Sequence, residues 1–155
     1  YRMRWSILTI ASVLALAYVM NFSGQTVAMG TFLAGLGPVY AILAPALGWI
    51  GTAVTGSDTS ANALFSKLQV SAAENLHQAG ISGATPELLL AANTTGGVVG
   101  KMISPQSLAI AATSVDMEGK ESDILKAVVP WSFAMLVVVC ILVFLQTNVL
   151  SFLIP

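Results

Sequence analysis

Between Leu88 and Val115 the sequence carries one charged residue, Lys101, and between Val27 and Gly56 it carries none. Trp5 to Phe22 and Ala127 to Ile154 are two further uncharged runs. About 18 such residues are enough to cross about 30 Å of hydrocarbon as a helix. The whole chain is short of charge: 8% of its 155 residues are Asp, Glu, Lys or Arg, against roughly 25% in soluble domains. It has too little charge to cover a water-facing globule and reads as an integral membrane protein. Soluble-enzyme and nucleic-acid-binding readings are excluded, and the net charge of −1 also lacks the basic footprint of a nucleic-acid partner. Tyr1 in place of an initiating Met, with no signal-peptide pattern, predicts a fragment, or the end, of a longer polytopic chain. The lone Cys140 lies in an apolar run, so no disulfide forms within the chain.

The first and last runs read as plain lipid-facing spans over about 5–22 and 127–154, the last anchored near its start by Trp131. The middle differs. Val27 to Gly56 is interrupted by Gly35, Gly37, Pro38, Pro45 and Gly48, and leads into the polar stretch GSDTSAN at 56–62. Ala61, Leu64, Phe65, Leu68, Ala72 and Leu76 then share one helical face, with Lys67, Ser71, Glu74 and Gln78 opposite. The segment 27–78 is therefore expected to be a re-entrant hairpin or two crossings, its second arm a short amphipathic helix over about 63–78. Thr85-Pro86-Glu87 is a helix start, and Ser104-Pro105 is a second one. Between them, ANTTGGVVGK predicts that the element 85–115 is a discontinuous helix, unwound at its centre. The expected fold is all-α and polytopic, with a re-entrant hairpin and a broken transmembrane helix. Basic residues Arg2, Arg4, Lys120 and Lys126 place both flanks on the cytoplasmic side if 27–78 enters and leaves on one side.

Non-helical backbone in a membrane is tolerated only where it lines a cavity or is buried in protein. Two such breaks are expected here, GSDTSAN and NTTGG, each followed by a helix whose N-terminus suits an anion. Discontinuous helices meeting near the midplane are how many secondary transporters build their sites. Asp58 and Lys101 each sit in a break with long uncharged flanks, and an ionisable group at that depth is a functional candidate. Lys101 is suited to a substrate carboxylate and Asp58 to proton exchange or to pairing with Lys101. Thr59, Ser60, Asn62, Asn93, Thr94 and Thr95 add hydroxyl and amide groups. Gly96 and Gly100 also fit a close-packing GxxxG. Lys67 with Glu74 reads as a solvated face, and His77 as an interfacial residue. No cofactor or metal site is expected. Two alternatives carry less: an intramembrane hydrolase using Ser57 or Ser104 with Lys101 as base, and a non-catalytic membrane subunit, which leaves the polar breaks without a purpose.

TGSDTSANALF (55–65), AANTTGGVVGKMISPQSLAIA (91–111) and GKESD (119–123), with an end in Pro155, resemble the L-lactate permease family over nearly the whole chain. The resemblance implies a multi-pass secondary carrier of the bacterial inner membrane, not an enzyme, that takes up L-lactate and often glycolate and D-lactate with protons. It implies the bilayer, these small anions and the remainder of a longer polypeptide as partners. Combined with the residues above, the substrate carboxylate would meet Lys101 and the N–H groups of Gly96 and Gly97. Thr59, Ser60, Asn62, Asn93, Thr94 and Thr95 would hydrogen-bond the carboxylate or hydroxyl, and Asp58 would carry the proton. Sodium coupling with another organic anion is the alternative within carriers.

Overall fold

The computed structural model describes residues 3–81 and 83–150, where all regular structure is helical. Arg2 and the expected continuation of the last span over 151–154 lie outside the described residues. Helix α1 (Met3–Phe22) is followed by α2 (Gln25–Ala34), and the two axes meet at 72° across Ser23-Gly24. Next come α3 (Val39–Thr55), α4 (Asp58–Gln78) and α5 (Pro86–Gly100). A 3₁₀ turn (Lys101–Ile103) leads to α6 (Pro105–Ser114), and α7 (Glu121–Asn148) closes the chain.

Helices α3, α4, α5 and α7 form the central bundle around Tyr40, Ala44, Leu68, Leu76, Leu89 and Val143. The α3–α5 interface is the tightest, and glycine is the reason. A methyl group at Gly48 would overlap the Asn93 carbonyl, one at Gly96 the Pro45 carbonyl, and one at Gly100 the Trp49 carbonyl. The two backbones thus touch without intervening side chains, the use expected of the GxxxG spacing. Residues 45 and 49 meet 96 and 100 in the same order, so α3 and α5 run parallel. Asp58 lies at Gly97 and Asn62 at Asn93, so α4 runs the other way. Ser132 of α7 accepts a hydrogen bond from Trp49 Nε1 (2.9 Å) and donates to the Val99 carbonyl (3.1 Å). Fifteen residues further on, the Thr147 backbone lies against Gly83, so α7 is also antiparallel to α5.

Among the described residues one helix, Glu121–Asn148, is long and apolar enough to cross a membrane alone. Ala11–Phe22 with Gln25–Ala34 forms a second apolar stretch, bent between its halves. Most of α7's apolar surface faces outward, with Trp131, Phe133, Ile141 and Leu142 at least half exposed.

The structure moves both predicted breaks. GSDTSAN is not an open loop: Gly56 and Ser57 alone leave the helix, and α4 starts at Asp58 rather than near 63. Ser57 caps it, its Oγ accepting from the Ser60 N–H at 3.3 Å, and short polar residues are favoured where a helix exposes unpaired N–H groups. NTTGG is not unwound either. Helix α5 continues through it to Gly100, because the glycines are held by the α3 contacts. The interruption comes at Lys101–Ser104, where Pro105 lacks an N–H and disfavours helical geometry in the residue before it. Ser104 is extended (φ −70°, ψ 143°) and caps α6 by accepting from Ser107 N–H. Thr85 caps α5 in the same way, as the sequence predicts for both helix starts. Ser71 also departs from expectation. It is buried and packs against Gly30 of α2.

Candidate functional site

The hairpin tip between α3 and α4 and the interruption between α5 and α6 come together. Gly56, with φ of 70°, sits directly against the Gln106 side chain at the start of α6. A side chain at position 56 would meet both the left-handed backbone penalty and Gln106. The N-termini of α4 and α6 therefore converge, each bringing the partial positive charge of aligned peptide dipoles. The C-terminal ends of α3 and α5 arrive at the same level and bring carbonyl oxygens.

Asp58, on the first turn of α4, is half-buried at this meeting point. Its Oδ1 accepts from Thr52 Oγ1 at 3.5 Å and its Oδ2 from Asn62 Nδ2 at 3.2 Å. The carboxylate lies against the bare Cα of Gly97, where a methyl group would overlap Oδ1. Lys101 is exposed and within electrostatic reach of Asp58, but the two do not form an ion pair. Among the described residues the one ion pair is Asp123 with Lys126 at the surface (3.8 Å).

Asn62 joins the carboxylate to α5. Its Oδ1 accepts from Asn93 Nδ2 at 2.7 Å and from Thr94 Oγ1 at 3.2 Å. Asn93 is fully buried, whereas Thr94 is exposed on a face of α5 that it shares with Val98 and Lys101. Residues 94, 98 and 101 align because steps of three and four return to one side of a helix.

Of the residues singled out from the sequence, Asp58, Asn62, Asn93, Thr94 and Gly97 touch one another in this cluster, and Lys101 stands beside it. Four others do not join it. Thr59 and Ser60 point away and line a cleft of about 260 Å³ with Val13 and Leu14 of α1. Thr95 donates to the Ala91 carbonyl of its own helix at 2.7 Å. Gly96 is occupied by α3. The N–H groups of Gly96 and Gly97 lie inside a continuous helix and are taken by its own hydrogen bonds. The helix N-termini are instead at Ser57–Ser60 and Ser104–Ser107. Ser57 and Ser104 act as caps, and the Ser104 hydroxyl is 3.0 Å from the Lys101 carbonyl rather than bonded to its amine. His77, Glu74 and Lys67 are exposed. His77 and Glu74 border a cleft of about 420 Å³ at the other end of α4 from Asp58.

Three members of the polar core were missed: Thr52, Gln69 and Tyr40. Gln69 lies seven residues after Asn62, two helical turns along the same face, and this spacing was the available signal.

A family model described as L-lactate permease matches residues 1–150. The chain is 48% identical over 149 residues to an L-lactate permease of Bacillus subtilis strain 168 and 46% identical to one of Escherichia coli strain K12. It is 43% identical over 149 residues to the glycolate permease GlcA of the latter strain. Each match covers 96% of this chain but only 25–26% of the relative, so the chain spans about a quarter of the length of the curated relatives it matches. No solved structure matches it.

Proposed function

The chain belongs to the L-lactate permease family, and from that premise we propose that it forms part of a secondary carrier for L-lactate, glycolate and related 2-hydroxymonocarboxylates. The carrier works by proton symport across the bacterial inner membrane. The observation that carries this reading is the meeting of two helix N-termini, α4 and α6, beside Lys101, which has no ion-pair partner among the described residues. Against these positive groups stands one carboxylate, Asp58. Such a site attracts a small monoanion, and its remaining polar groups are hydroxyls and amides suited to a neighbouring hydroxyl.

In this reading the substrate carboxylate binds Lys101 and the free N–H groups at the start of α6 or α4. Thr94 and Asn62 hydrogen-bond the carboxylate or the 2-hydroxyl. Asp58 takes up and releases the coupling proton. Thr59, Ser60 and Thr95 contact substrate only if their helices turn during transport. The α3–α4 hairpin is read as re-entrant because α3 and α4 run antiparallel and their shared tip at Gly56 meets the start of α6 at Gln106, next to the interruption after α5. Alternating access then consists of opening this level to one side or the other.

A second reading, sodium coupling, draws on the carbonyl ends of α3 and α5 at the same level, since helix C-termini coordinate cations in such carriers. The test of the substrate class is competition. Full-length protein in proteoliposomes takes up labelled L-lactate, and unlabelled glycolate should suppress that uptake while acetate, which lacks the 2-hydroxyl, should suppress it less. No uptake by demonstrably folded protein overturns the assignment.

A further inference from the structure

The polar core extends well beyond the groups a substrate could touch. Tyr40 OH donates to Gln69 Oε1 at 2.6 Å. Gln69 Nε2 donates to the Ala44 carbonyl at 3.3 Å and to Asn93 Oδ1 at 3.2 Å. Asn93 Nδ2 donates to Asn62 Oδ1, and Asn62 Nδ2 donates to Asp58. Tyr40, Gln69 and Asn93 are fully buried, at 0% exposure.

This chain has a direction. A backbone carbonyl only accepts, so Ala44 fixes the NH₂ of Gln69 on its side. The same NH₂ meets Asn93 through its oxygen, which turns the Asn93 NH₂ toward Asn62 and the Asn62 NH₂ toward Asp58. Reversing Asn93 or Asn62 sets donor against donor and acceptor against acceptor on its two sides, and reversing Gln69 sets its oxygen against the Ala44 carbonyl and Asn93 Oδ1; inside a protein such mismatches are not relieved by water. We propose that Gln69 and Asn93 are positioning residues: through one directional hydrogen-bond chain anchored on the Ala44 carbonyl, they fix Asn62 with its N–H toward Asp58 and its oxygen toward Thr94. The orientation of two groups at the site is thus decided about two helical turns from Asn62, where Gln69 meets the Ala44 carbonyl of α3. The transport consequence rests on the reading of Asp58 as proton carrier; the structural consequence does not.

The test is a stability cycle on purified full-length protein. Asn93→Asp replaces the donor facing Asn62 with an acceptor, so Asn62 must turn its NH₂ to position 93 and its oxygen to Asp58. Asp58→Asn then supplies a donor to that oxygen. The expected result is that Asn93→Asp lowers the melting midpoint and that adding Asp58→Asn recovers most of the loss. With Asn62→Ala in the background the rescue should vanish, which separates a chain through Asn62 from plain repulsion between carboxylates. Losses that simply add, or a rescue that survives Asn62→Ala, overturn the proposal. Should Asn93→Asp alone give no folded protein, recovery of folded protein in the double variant is the same positive result, and its failure overturns the chain. In proteoliposomes, Asn93→Asp should lower proton-driven accumulation of labelled L-lactate roughly tenfold, the effect of losing a hydrogen bond to a charged group, and should lower lactate–lactate exchange by less. Rescue in the stability cycle with accumulation unchanged keeps the chain and overturns the proton-carrier reading instead.

Discussion

Asn93 Nδ2 lies 2.7 Å from Asn62 Oδ1, a bond that ties α5 to α4 one residue before Thr94, which opens to the outside. One side of this contact is fully buried and the other borders the exposed face with Lys101. The polar groups at the site are therefore held by the core rather than by the surface.

Lys101 is the cation that stands beside the Asp58 cluster; it is exposed and, among the described residues, has no ion-pair partner. Lys101→Ala is expected to raise the KM for L-lactate roughly tenfold or more, from loss of a charge-assisted contact. Lys101→Arg should recover part of the affinity. Initial-rate uptake over a range of lactate concentrations measures both, and unchanged kinetics for Lys101→Ala would remove the carboxylate role.

Gly97→Ala and Gly96→Ala should separate function from folding. At position 97 the added methyl displaces the Asp58 carboxylate, so proton-driven uptake should fall more than stability. At position 96 the methyl meets the Pro45 backbone, which cannot swing aside. Overpacking of this kind costs about 1–3 kcal/mol or more. Melting midpoints and uptake rates, measured on both variants, check the contrast.

The Ser132 hydroxyl, on the buried side of α7, links α3 to α5 by accepting from Trp49 and donating to Val99. Ser132→Ala leaves the Trp49 N–H unpaired in a part-buried site, at an expected cost of about 1–3 kcal/mol. Thermal melting in detergent reads the loss, and a fall within error would show that water takes the place of the hydroxyl.

Tyr40→Phe removes the donor that meets Gln69 Oε1 and nothing else of the ring. A destabilisation of about 1–2 kcal/mol is expected, with transport affinity little changed because Gln69 stays anchored on Ala44. A large change in KM would mean that Tyr40 sets the amide directions as well.

Much of this arrangement was legible in the sequence. The absence of charge marked a membrane chain, and Thr85-Pro86 and Ser104-Pro105 located two helix starts to the residue. Asp58 and Lys101 stood out because nothing near them in sequence is charged. What misled was the polarity of GSDTSAN and NTTGG. Short polar residues serve equally in a loop and in the first turn of a capped helix, and glycine pairs serve equally in a break and in a contact between helix backbones. Composition does not distinguish these uses; the neighbouring helix does. Gln69 was missed for a related reason: one amide among Leu68, Val70 and Ala72 looks incidental until Asn93 is opposite it.

The most direct measurement compares uptake of labelled L-lactate by wild-type and Asp58→Asn full-length protein in proteoliposomes, with and without an inward proton gradient. The gradient should accelerate wild-type uptake and a protonophore should cancel that acceleration, while Asp58→Asn should still exchange lactate but ignore the gradient. Wild-type uptake that requires Na⁺ and not protons, or an Asp58→Asn variant that responds fully to the gradient, would contradict the proton-carrying role of Asp58.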